Sequence, residues 1–309
     1  MTTAYITHED CQRHDMGPEH PESPLRLQAI RERITHDGLA QELDWVEAQE
    51  APRDAILRVH PETYLHQLDI IVPEKGRVFA DPDTAIMADT LKAARLAAGS
   101  AIQAVDMVLS RQVQNAFCAV RPPGHHAERG KTMGFCFYNN IAIAAAHALS
   151  FHNLERVAIV DFDVHQGNGT IDIFQGDPRV LVCSSFQHPF YPNSHFHGLP
   201  SNIVNTPLDA YTKGDAFRRR VEKDWLYRLQ DFKPQLILIS AGFDAHKADP
   251  MANLELVEAD YRWVTEMIAD VAHQSCGGRI VSMLEGGYNL KALAASAEAH
   301  IGTLAEAPE

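Results

Sequence analysis

Five short apolar runs recur along the chain, each four or five residues long and most of them rich in β-branched side chains. They occupy residues 117–120, 157–160, 180–183, 236–239 and 280–284. Runs of this length without alternation between apolar and polar positions are typical of strands buried on both faces of a parallel sheet. The pattern therefore predicts the central strands of such a sheet.

Longer stretches of helical composition precede or separate these runs. They read DTLKAARLAAGSAIQAVDMVLS (89–110), NNIAIAAAHALSFH (139–152), GDAFRRRVEKDWLYRLQDF (214–232) and EADYRWVTEMIADVAHQ (258–274). The alternation of strands and helices predicts a three-layer α/β fold, with a mostly parallel central sheet and helices on both faces. The chain has no internal repeat and no low-complexity linker, so we expect residues 1–309 to form a single domain.

The composition is that of a globular protein rather than a membrane-spanning or secreted one. A content of 45% hydrophobic and 22% charged residues is ordinary for a globular protein. The chain has no apolar run of the roughly eighteen residues that a membrane span needs. Its start, MTTAYITHEDCQRHD, lacks the basic and apolar regions of a signal peptide. We therefore expect a soluble, cytoplasmic protein without a membrane partner.

The net charge argues against a nucleic-acid-binding protein, and the cysteine content argues against a protein stabilised by disulfides or by cysteine-bound zinc. The net charge of −14 at pH 7 disfavours direct binding to nucleic acid and suits a cationic partner, such as a lysine-rich segment or a polyamine. The five cysteines are scattered and never spaced as CxxC. This arrangement argues against a disulfide framework and against a cysteine zinc site.

Polar clusters, four of them with glycine, follow the five apolar runs. They read, in chain order, RPPGHH, DFDVHQGNGT, SSFQHPFYP, AGFDAHKADP and EGGYNL. Open α/β sheets build their sites at the carboxyl ends of the strands. The five clusters therefore predict one common site at that edge of the sheet.

The cluster DFDVH carries the residue types of a metal site. Asp161, Asp163 and His165 are spaced by two, so an extended chain turns all three to one side. Asp163 and His165 offer an oxygen and a nitrogen to one metal, and Asp244 can supply a third ligand. Three protein ligands with an open position are typical of a catalytic zinc site rather than a structural one.

The remaining clusters supply acid–base groups. A regular strand would turn the adjacent His125 and His126 to opposite faces, whereas the preceding Pro-Pro-Gly turn lets both face one target. One histidine can take a proton from a metal-activated water while its neighbour holds charge. Asp161 and Asn168 are candidates to orient the two rings. Tyr288, after two glycines, can donate a hydrogen bond to a developing oxyanion.

Taken together, these motifs resemble the histone deacetylase and acetylpolyamine amidohydrolase superfamily. The resemblance runs from HPESPLRL at His20 to LEGGYNL, which ends at Leu290, and it is closest to the class II, bacterial-type branch. It implies an arginase/deacetylase-like fold. It also implies a zinc-dependent amidohydrolase that removes acetyl or other acyl groups from the ε-amine of lysine in proteins or peptides, or from polyamines.

The resemblance also implies two metal sites. Zinc would bind Asp163, His165 and Asp244. A structural potassium ion would bind, largely through backbone carbonyls, at Asp161, Asp163, His165, Ser184 and Ser185.

For the chemistry, the resemblance implies a role for each of five side chains. His126 would be the general base and acid, and His125 would act electrostatically. Asp161 would pair with His125, and Asn168 with His126. Tyr288 would polarise the carbonyl of the substrate.

For substrate binding, the resemblance implies a tunnel that holds the acyl-lysine stem. Phe135 and Tyr191 would form its walls and Gly134 its floor, with Gly287 also lining it. Arg26 would lie on the exit path of acetate.

The sequence departs from the family pattern at several positions. Gln166 stands where the family usually has a second histidine, and Tyr191 replaces the commoner phenylalanine. Polyamine-specialised relatives use an acidic side chain near the tunnel mouth, whereas the candidate position here is Met251. We therefore expect acetyl-lysine peptides to be better substrates than acetylspermidine.

Two alternative functions remain. A ureohydrolase with two manganese ions needs another carboxylate two residues after His165, where Gly167 stands. His246 could supply one further ligand but would leave the second metal under-coordinated. A non-enzymatic acyl-lysine reader, or a regulatory protein of the acetoin-utilisation type, would be expected to lose the tyrosine or a metal ligand, and all of these are present.

Two further segments have no regular period. The histidine-rich segment 184–207 predicts a long functional loop, and we interpret its histidines as rim residues rather than metal ligands. The sequence DPDT at 81–84 precedes a helical stretch, where an N-cap is the ordinary role. The family resemblance places Asp83 near the substrate rim.

Overall fold

Ten strands lie within residues 2–307, the part of the chain that the computed structural model describes. They are β1 Thr3–Thr7, β2 Leu43–Glu47, β3 Val78–Asp81, β4 Thr84–Ile86, β5 Asn115–Cys118, β6 Val157–Asp161, β7 Val180–Gln187, β8 Ile203–Leu208, β9 Leu236–Ala241 and β10 Ile280–Leu284. Eight of them form one sheet in the order β2-β1-β5-β10-β9-β6-β7-β8, and every neighbouring pair in it is parallel. Strands β3 and β4 form a separate antiparallel hairpin.

Ten α-helices connect the strands within the same residues. They are α1 Leu25–His36, α2 Arg53–Leu57, α3 Glu62–Ile71, α4 Thr90–Leu109, α5 Asn140–Ser150, α6 Asn168–Phe174, α7 Gly214–Val221, α8 Tyr227–Phe232, α9 Glu258–Cys276 and α10 Leu290–Glu306. A π-helical turn at Glu222–Leu226 joins α7 to α8. Within residues 2–307, no helix is both long enough and apolar enough to cross a bilayer.

Helices cover both faces of the sheet. On β5, the side chains of Asn115 and Phe117 contact α10, through Leu304 and His300 respectively. The next side chain, Cys118, contacts Ser100 of α4. Because successive side chains of a strand point to opposite faces, α4 and α10 lie on opposite sides of the sheet. Helix α5 packs against α4, while α1 and α9 pack against α10, which confirms the predicted three-layer α/β fold.

The five apolar runs correspond to β5, β6, β7, β9 and β10, all of which are buried along their length. Sequence patterning did not identify β1, β2 and β8. Strands β2 and β8 are the two edges of the sheet and carry partly exposed positions, such as Trp45 with 42% of its surface accessible. Strand β7 continues through two serines to Gln187, and β8 begins at Ile203, so the irregular part of segment 184–207 is shorter than predicted.

The role expected for the DPDT segment as a helix N-cap is wrong. Asp81 ends β3 and Thr84 begins β4, so the segment forms the turn of a hairpin, while α4 starts only at Thr90. The Asp81 carboxylate accepts a hydrogen bond from the backbone N–H of Asp83 at 2.9 Å. A short polar side chain that binds the backbone two residues later stabilises a turn as readily as it caps a helix.

Candidate metal centre and active site

Three metal-ligating side chains converge where two neighbouring strands end. Asp163 and His165 follow β6, and Asp244 follows β9, which pairs with β6. All three are buried, and one ligand atom from each lies within 4.8 Å of the others. His165 Nδ1 lies 3.1 Å from Asp163 Oδ1 and 3.2 Å from Asp244 Oδ2. The sheet thus brings together the three residues that the sequence suggested as ligands.

The packing around these carboxylates suits a bound cation. The backbone N–H of Gly286 donates to Asp163 Oδ2 at 2.8 Å, and that of Val164 donates to Asp244 Oδ1 at 2.9 Å. Asp244 Oδ2 is buried and accepts no well-formed hydrogen bond from residues 2–307, although His165 Nδ1 lies close to it. A buried carboxylate oxygen without a donor is costly unless a cation binds it. One imidazole and two carboxylates are ligands that zinc accepts.

Negative charge is concentrated at the same place. Asp161, Asp163, Asp244 and Glu285 are all buried at the carboxyl ends of β6, β9 and β10. Burial raises the pKa of Asp161 and Asp244 to about 6 and that of Glu285 to about 7. Burial also opposes ionisation of Asp163, but the charges and hydrogen bonds of neighbouring histidines outweigh it and lower its pKa. Several buried carboxylates in contact favour the binding of a cation.

The two adjacent histidines lie in the loop after β5 and are held by different partners. Glu285 accepts hydrogen bonds from the backbone N–H groups of Gly124 and His125, which fixes the backbone before the pair. His125 Nδ1 lies 2.9 Å from Asp161 Oδ2. His126 Nδ1 lies 2.7 Å from the Oδ1 atom of Asn168, the first residue of α6. The ring centroids of the two histidines are 4.1 Å apart, so both face one site.

The surroundings of His125 and His126 shift the pKa values of the two rings in opposite directions. Burial opposes the charged form of His125, but Asp161 and Asp163 outweigh burial and raise its pKa well above 6.5. Burial also disfavours the charged form of His126, and the positive charges of His125 and His165 add to this effect, so its pKa lies well below 6.5. Two neighbouring groups whose pKa values are driven apart are typical of acid–base sites.

Tyr288 lies on the loop between β10 and α10, beside the same centre. Its half-buried ring lies edge-on to Phe135, with 5.9 Å between ring centroids. The guanidinium carbon of Arg26 lies 5.0 Å from the centroid of the Tyr288 ring. Burial raises the pKa of Tyr288 well above 10, so its hydroxyl keeps its proton and can donate a hydrogen bond.

Aromatic side chains surround the approach to the centre. The Tyr191 ring stands edge-on to the rings of His126 and His165, at centroid distances of 5.3 and 5.9 Å. Phe135 adopts a positive φ of 70° and lies half-buried next to Gly134, whose φ is 55°. A side chain at Gly134 would overlap the His126 ring. The structure therefore brings Tyr191 and Gly134 to the His126 ring, with Phe135 next to Gly134.

Three of the residues suggested for potassium lie on two neighbouring strands beside the candidate metal centre. In the sheet, Asp161 of β6 pairs in register with Ser184 of β7, and Ser185 follows it. Ser184 Oγ is buried and has no hydrogen-bond partner among residues 2–307. Met251 is half-buried in the loop after β9, where its backbone N–H donates to Asp249 Oδ1 at 3.0 Å.

Sequence reasoning missed two carboxylates of the site. Glu285 anchors the backbone at Gly124 and His125, and Asp249 accepts hydrogen bonds from the N–H groups of Tyr288 and Asn289 at 2.7 and 3.0 Å. Both lie inside two of the polar clusters that follow the apolar runs, EGGYNL and AGFDAHKADP. Their position in these motifs was the only available signal, because their partners are backbone groups distant in sequence.

The geometry does not favour a second metal beside the first. A side chain at Gly167 would overlap Asp161 Oδ2, so this position has no room for another ligand. His246 belongs to neither of the two metal-capable groups found within residues 2–307. Its Nδ1 atom accepts a hydrogen bond from the N–H of Ala248 at 3.1 Å, and its Nε2 atom faces Glu258.

A second cluster of metal-ligating side chains lies at the C-terminal ends of α4 and α5. Asp106 Oδ1 lies 2.7 Å from His147 Nε2 and 2.6 Å from His152 Nε2. Arg58 Nη1 lies 3.1 Å from His147 Nδ1 and can only donate, so His147 Nε2 carries its proton and donates to Asp106. Hydrogen bonds therefore account for this cluster.

The fold and this centre define an α/β protein with a candidate metal site at the carboxyl ends of a parallel sheet. Residues 20–304 match the family model described as "Histone deacetylase domain". The chain belongs to the histone deacetylase family and is one of its hydrolases.

Individual relatives agree with this family. The chain is 35% identical to "Histone deacetylase-like amidohydrolase" of Pseudomonas aeruginosa, over 93% of this chain and 82% of that protein. It is also 35% identical to "Polyamine deacetylase HDAC10" of Homo sapiens, over 98% of this chain and 48% of the human protein. The crystal structure of the HDA15 HD domain superposes with a TM-score of 0.91 at 32% identity, covering 99% of this chain and 89% of that one.

Proposed function

We propose that this protein is a zinc-dependent deacylase that removes acetyl, or another acyl group, from the ε-amine of lysine in proteins or peptides. The observation that carries the proposal is the convergence of Asp163, His165 and Asp244 beside a pair of differently held histidines. Membership of the histone deacetylase family supports the reaction class. Zinc bound to the three ligands would supply Lewis acidity to a water molecule and to the amide oxygen.

His126 has the geometry of the general base. The Asn168 amide donates through Nδ2 to Glu128 Oε1 at 2.8 Å, so its Oδ1 atom is an acceptor. His126 Nδ1 must therefore carry a proton and donate it to Asn168 Oδ1, which leaves Nε2 free to accept a proton. The same nitrogen can then return the proton to the leaving amine of lysine.

His125 and Tyr288 would stabilise charge during the reaction. His125 shares its Nδ1 proton with Asp161, and its Nε2 atom lies 3.8 Å from Asp163 Oδ2. A positive His125 would offset the carboxylates around it as negative charge develops on the substrate. The Tyr288 hydroxyl would donate a hydrogen bond to the amide oxygen as that oxygen becomes an oxyanion.

The surroundings of the centre suit an acylated lysine. Phe135 and Tyr191 offer apolar ring surfaces to the methylene stem, and the net charge of −14 attracts basic protein segments.

We further propose that Asp161, Ser184 and Ser185 hold a potassium ion. The buried Ser184 hydroxyl, which has no hydrogen-bond partner among residues 2–307, supports this assignment.

A second candidate substrate is an acetylpolyamine. The name of the human relative, a polyamine deacetylase, supports this alternative. Against it, the position suggested by the sequence for an acidic recognition residue holds Met251, which offers no charge to a distal ammonium. Acyl-lysine is therefore the substrate that we favour. A non-enzymatic acyl-lysine reader is the alternative of a different class.

The experiment that tests the proposal compares Tyr288→Phe with the wild type on acetyl-lysine and trifluoroacetyl-lysine peptides. Loss of one oxyanion donor typically costs about 10²–10³ in rate, so acetyl-lysine hydrolysis should fall by this order. The trifluoroacetyl carbonyl is more electrophilic and should retain a larger fraction of its rate. Zinc content should stay unchanged, because Tyr288 is not a ligand.

Tyr227→Phe is the matched control, because Tyr227 is 69% exposed and lies on α8. It should behave as the wild type with both peptides. Equal fractional losses on the two substrates in Tyr288→Phe would contradict carbonyl polarisation. A zinc-loaded wild type that binds acetyl-lysine peptides without hydrolysing them would favour the reader alternative.

A further inference from the structure

Charged side chains hold both ends of the peptide group between Gly287 and Tyr288. Its carbonyl oxygen, Gly287 O, accepts a hydrogen bond from Arg26 Nε at 2.6 Å. Its N–H group, on Tyr288, donates to Asp249 Oδ2 at 2.7 Å. A cationic donor at the oxygen and an anionic acceptor at the N–H are the strongest partners available to a peptide group.

Each of the two side chains is itself immobilised. Asp249 has 7% of its surface exposed, and its second oxygen accepts the backbone N–H of Met251 at 3.0 Å. Arg26 is fully buried and also donates to the carbonyl of Glu285 and to the carboxylate of Glu22. Arg26 and Asp249 together form a clamp on this peptide group. The clamp connects the Tyr288 loop to α1 through Arg26 and to the loop after β9 through Asp249.

The backbone before Tyr288 needs such a restraint. Gly286 and Gly287 precede it, and Gly287 adopts a φ of 120° that side chains disfavour. Two consecutive glycines give the chain more conformational freedom than any other pair. The peptide that enters Tyr288 could therefore rotate and carry the tyrosine ring away, unless its two ends are held. Rotation of this peptide would break both charged hydrogen bonds.

We propose that Asp249 is a positioning residue that fixes the Tyr288 hydroxyl at the reaction centre by clamping the Gly287–Tyr288 peptide against Arg26. The inference rests on the proposed role of Tyr288 in deacylation. It adds a residue that touches neither the metal nor the substrate but sets the position of a catalytic group. Because Asp249 also binds the N–H of Met251, it joins the position suggested for the tunnel mouth to the tyrosine.

Asp249→Asn is the sharpest perturbation, because it keeps the size of the side chain. The carboxylate accepts N–H groups at both oxygens, whereas an amide can accept only at one and places an NH₂ group at the other. One of these two contacts must therefore be lost, and an amide oxygen that still faces the Tyr288 N–H is a neutral acceptor in place of an anionic one, so the clamp is weakened in either orientation. Asp260→Asn is the matched control, because Asp260 is equally buried, accepts the N–H of Val257 and binds Arg218, yet lies at the start of α9.

Kinetics should separate the two variants at equal zinc content. We expect Asp249→Asn to lower kcat for acetyl-lysine peptides by about 10- to 100-fold with little change in KM, since small misplacements of a catalytic group cost rates of this order. Trifluoroacetyl-lysine should be spared, as in Tyr288→Phe. Adding Asp249→Asn to Tyr288→Phe should cause little further loss, because the hydroxyl that it positions is already absent. Asp260→Asn should retain the wild-type kcat.

Amide hydrogen exchange over residues 285–290 tests the clamp without reference to activity. Asp249→Asn should speed exchange in this segment, and Asp260→Asn should not. If Asp249→Asn does not fold, Arg26→Lys opens the opposite end of the clamp and should give the same changes.

Unchanged exchange in Asp249→Asn, or an additive loss in the double variant, would overturn the inference. A wild type without hydrolytic activity would instead reject the proposed function. In that case, exchange would still decide whether the clamp exists.

Discussion

A single methyl group at Gly286 should weaken metal binding by about 100-fold or more while leaving the fold intact. Gly286 follows β10 and lies against both carboxylates of the candidate metal centre. An added Cβ at this position would overlap Asp244 Oδ2 and would lie 2.6 Å from Asp163 Oδ2. The backbone of Gly286 has no positive φ, so the substitution acts through space rather than through conformation.

The size of the displacement follows from these contacts. Ordinary van der Waals contact begins at 3.4 Å, so the Asp163 oxygen must move by about 0.8 Å and the Asp244 oxygen by more. Zinc–ligand distances tolerate about 0.2 Å, so two of the three ligands leave the permitted range. We therefore expect zinc affinity to fall by about 100-fold or more. Overpacking of this kind costs about 1–3 kcal/mol, less than the stability of a typical domain.

Gly302→Ala provides the control, because it makes the same chemical change within α10. A Cβ at Gly302 meets only Leu39 Cδ2, at 3.9 Å. Alanine in a helix interior stabilises by about 0.5–1 kcal/mol relative to glycine, so this variant should fold and bind zinc normally. Zinc affinity would be measured by competition with a chromophoric chelator, and stability by urea unfolding of the zinc-free proteins.

The reasoning would be refuted by a folded Gly286→Ala variant that binds zinc with wild-type affinity. In that case, the bound metal would not depend on the positions of Asp163 and Asp244. Loss of zinc binding together with loss of the cooperative unfolding transition would show that the methyl group disrupts the fold rather than the ligands.

Three further predictions concern the ligand set, the substrate and the stability. Asp244→Ala should lose both activity and tight zinc binding, and retention of one zinc per chain would contradict the ligand assignment. With Met251 at the suggested recognition position, kcat/KM should be higher for acetyl-lysine peptides than for acetylspermidine, and the reverse order would favour the polyamine alternative. Burial lowers the pKa of His300 from 6.5 in the unfolded chain to about 3 in the folded protein. Between these two pH values the unfolded chain therefore binds more protons than the folded protein. The stability that is present above pH 6.5 should be lost as the pH falls through this range. This histidine should contribute a loss of about 2 kcal/mol between pH 7 and pH 5, and His300→Gln should show a correspondingly shallower pH dependence in urea unfolding.

The central strands were predictable because their burial is uniform. Strands β5, β6, β9 and β10 have no exposed position, so each appears in the sequence as an unbroken apolar run. The edge strand β2 has only one buried residue, Leu43, and its other side chains are polar or partly exposed. The formation of such a strand depends on packing against its neighbour, so its own pattern of apolar and polar residues does not predict it. Strand β1 is buried, but its sequence TAYIT is short and has a threonine at each end.

The candidate metal ligands were predictable in type but not in mutual position. The spacing of Asp163 and His165 places them on one side of an extended chain, and this follows from the sequence alone. The third candidate ligand, Asp244, comes close because β9 lies between β10 and β6, with Asp161 in register with Ser240. Two strands, β7 and β8, separate β6 from β9 along the chain, so no local pattern indicates that these strands are neighbours.

Glu285 and Asp249 could not be recognised because of the kind of group they bind. Glu285 accepts the backbone N–H of Gly124 across 161 residues of sequence, and Asp249 accepts that of Tyr288 across 39. Every residue except proline offers an N–H, so the partner of such a carboxylate has no characteristic side chain. A metal ligand or a paired histidine restricts both members of the pair to a few residue types. A carboxylate that accepts backbone N–H groups must itself be Asp or Glu, but its partner can be almost any residue type. Its role becomes visible only when the fold brings the two segments together.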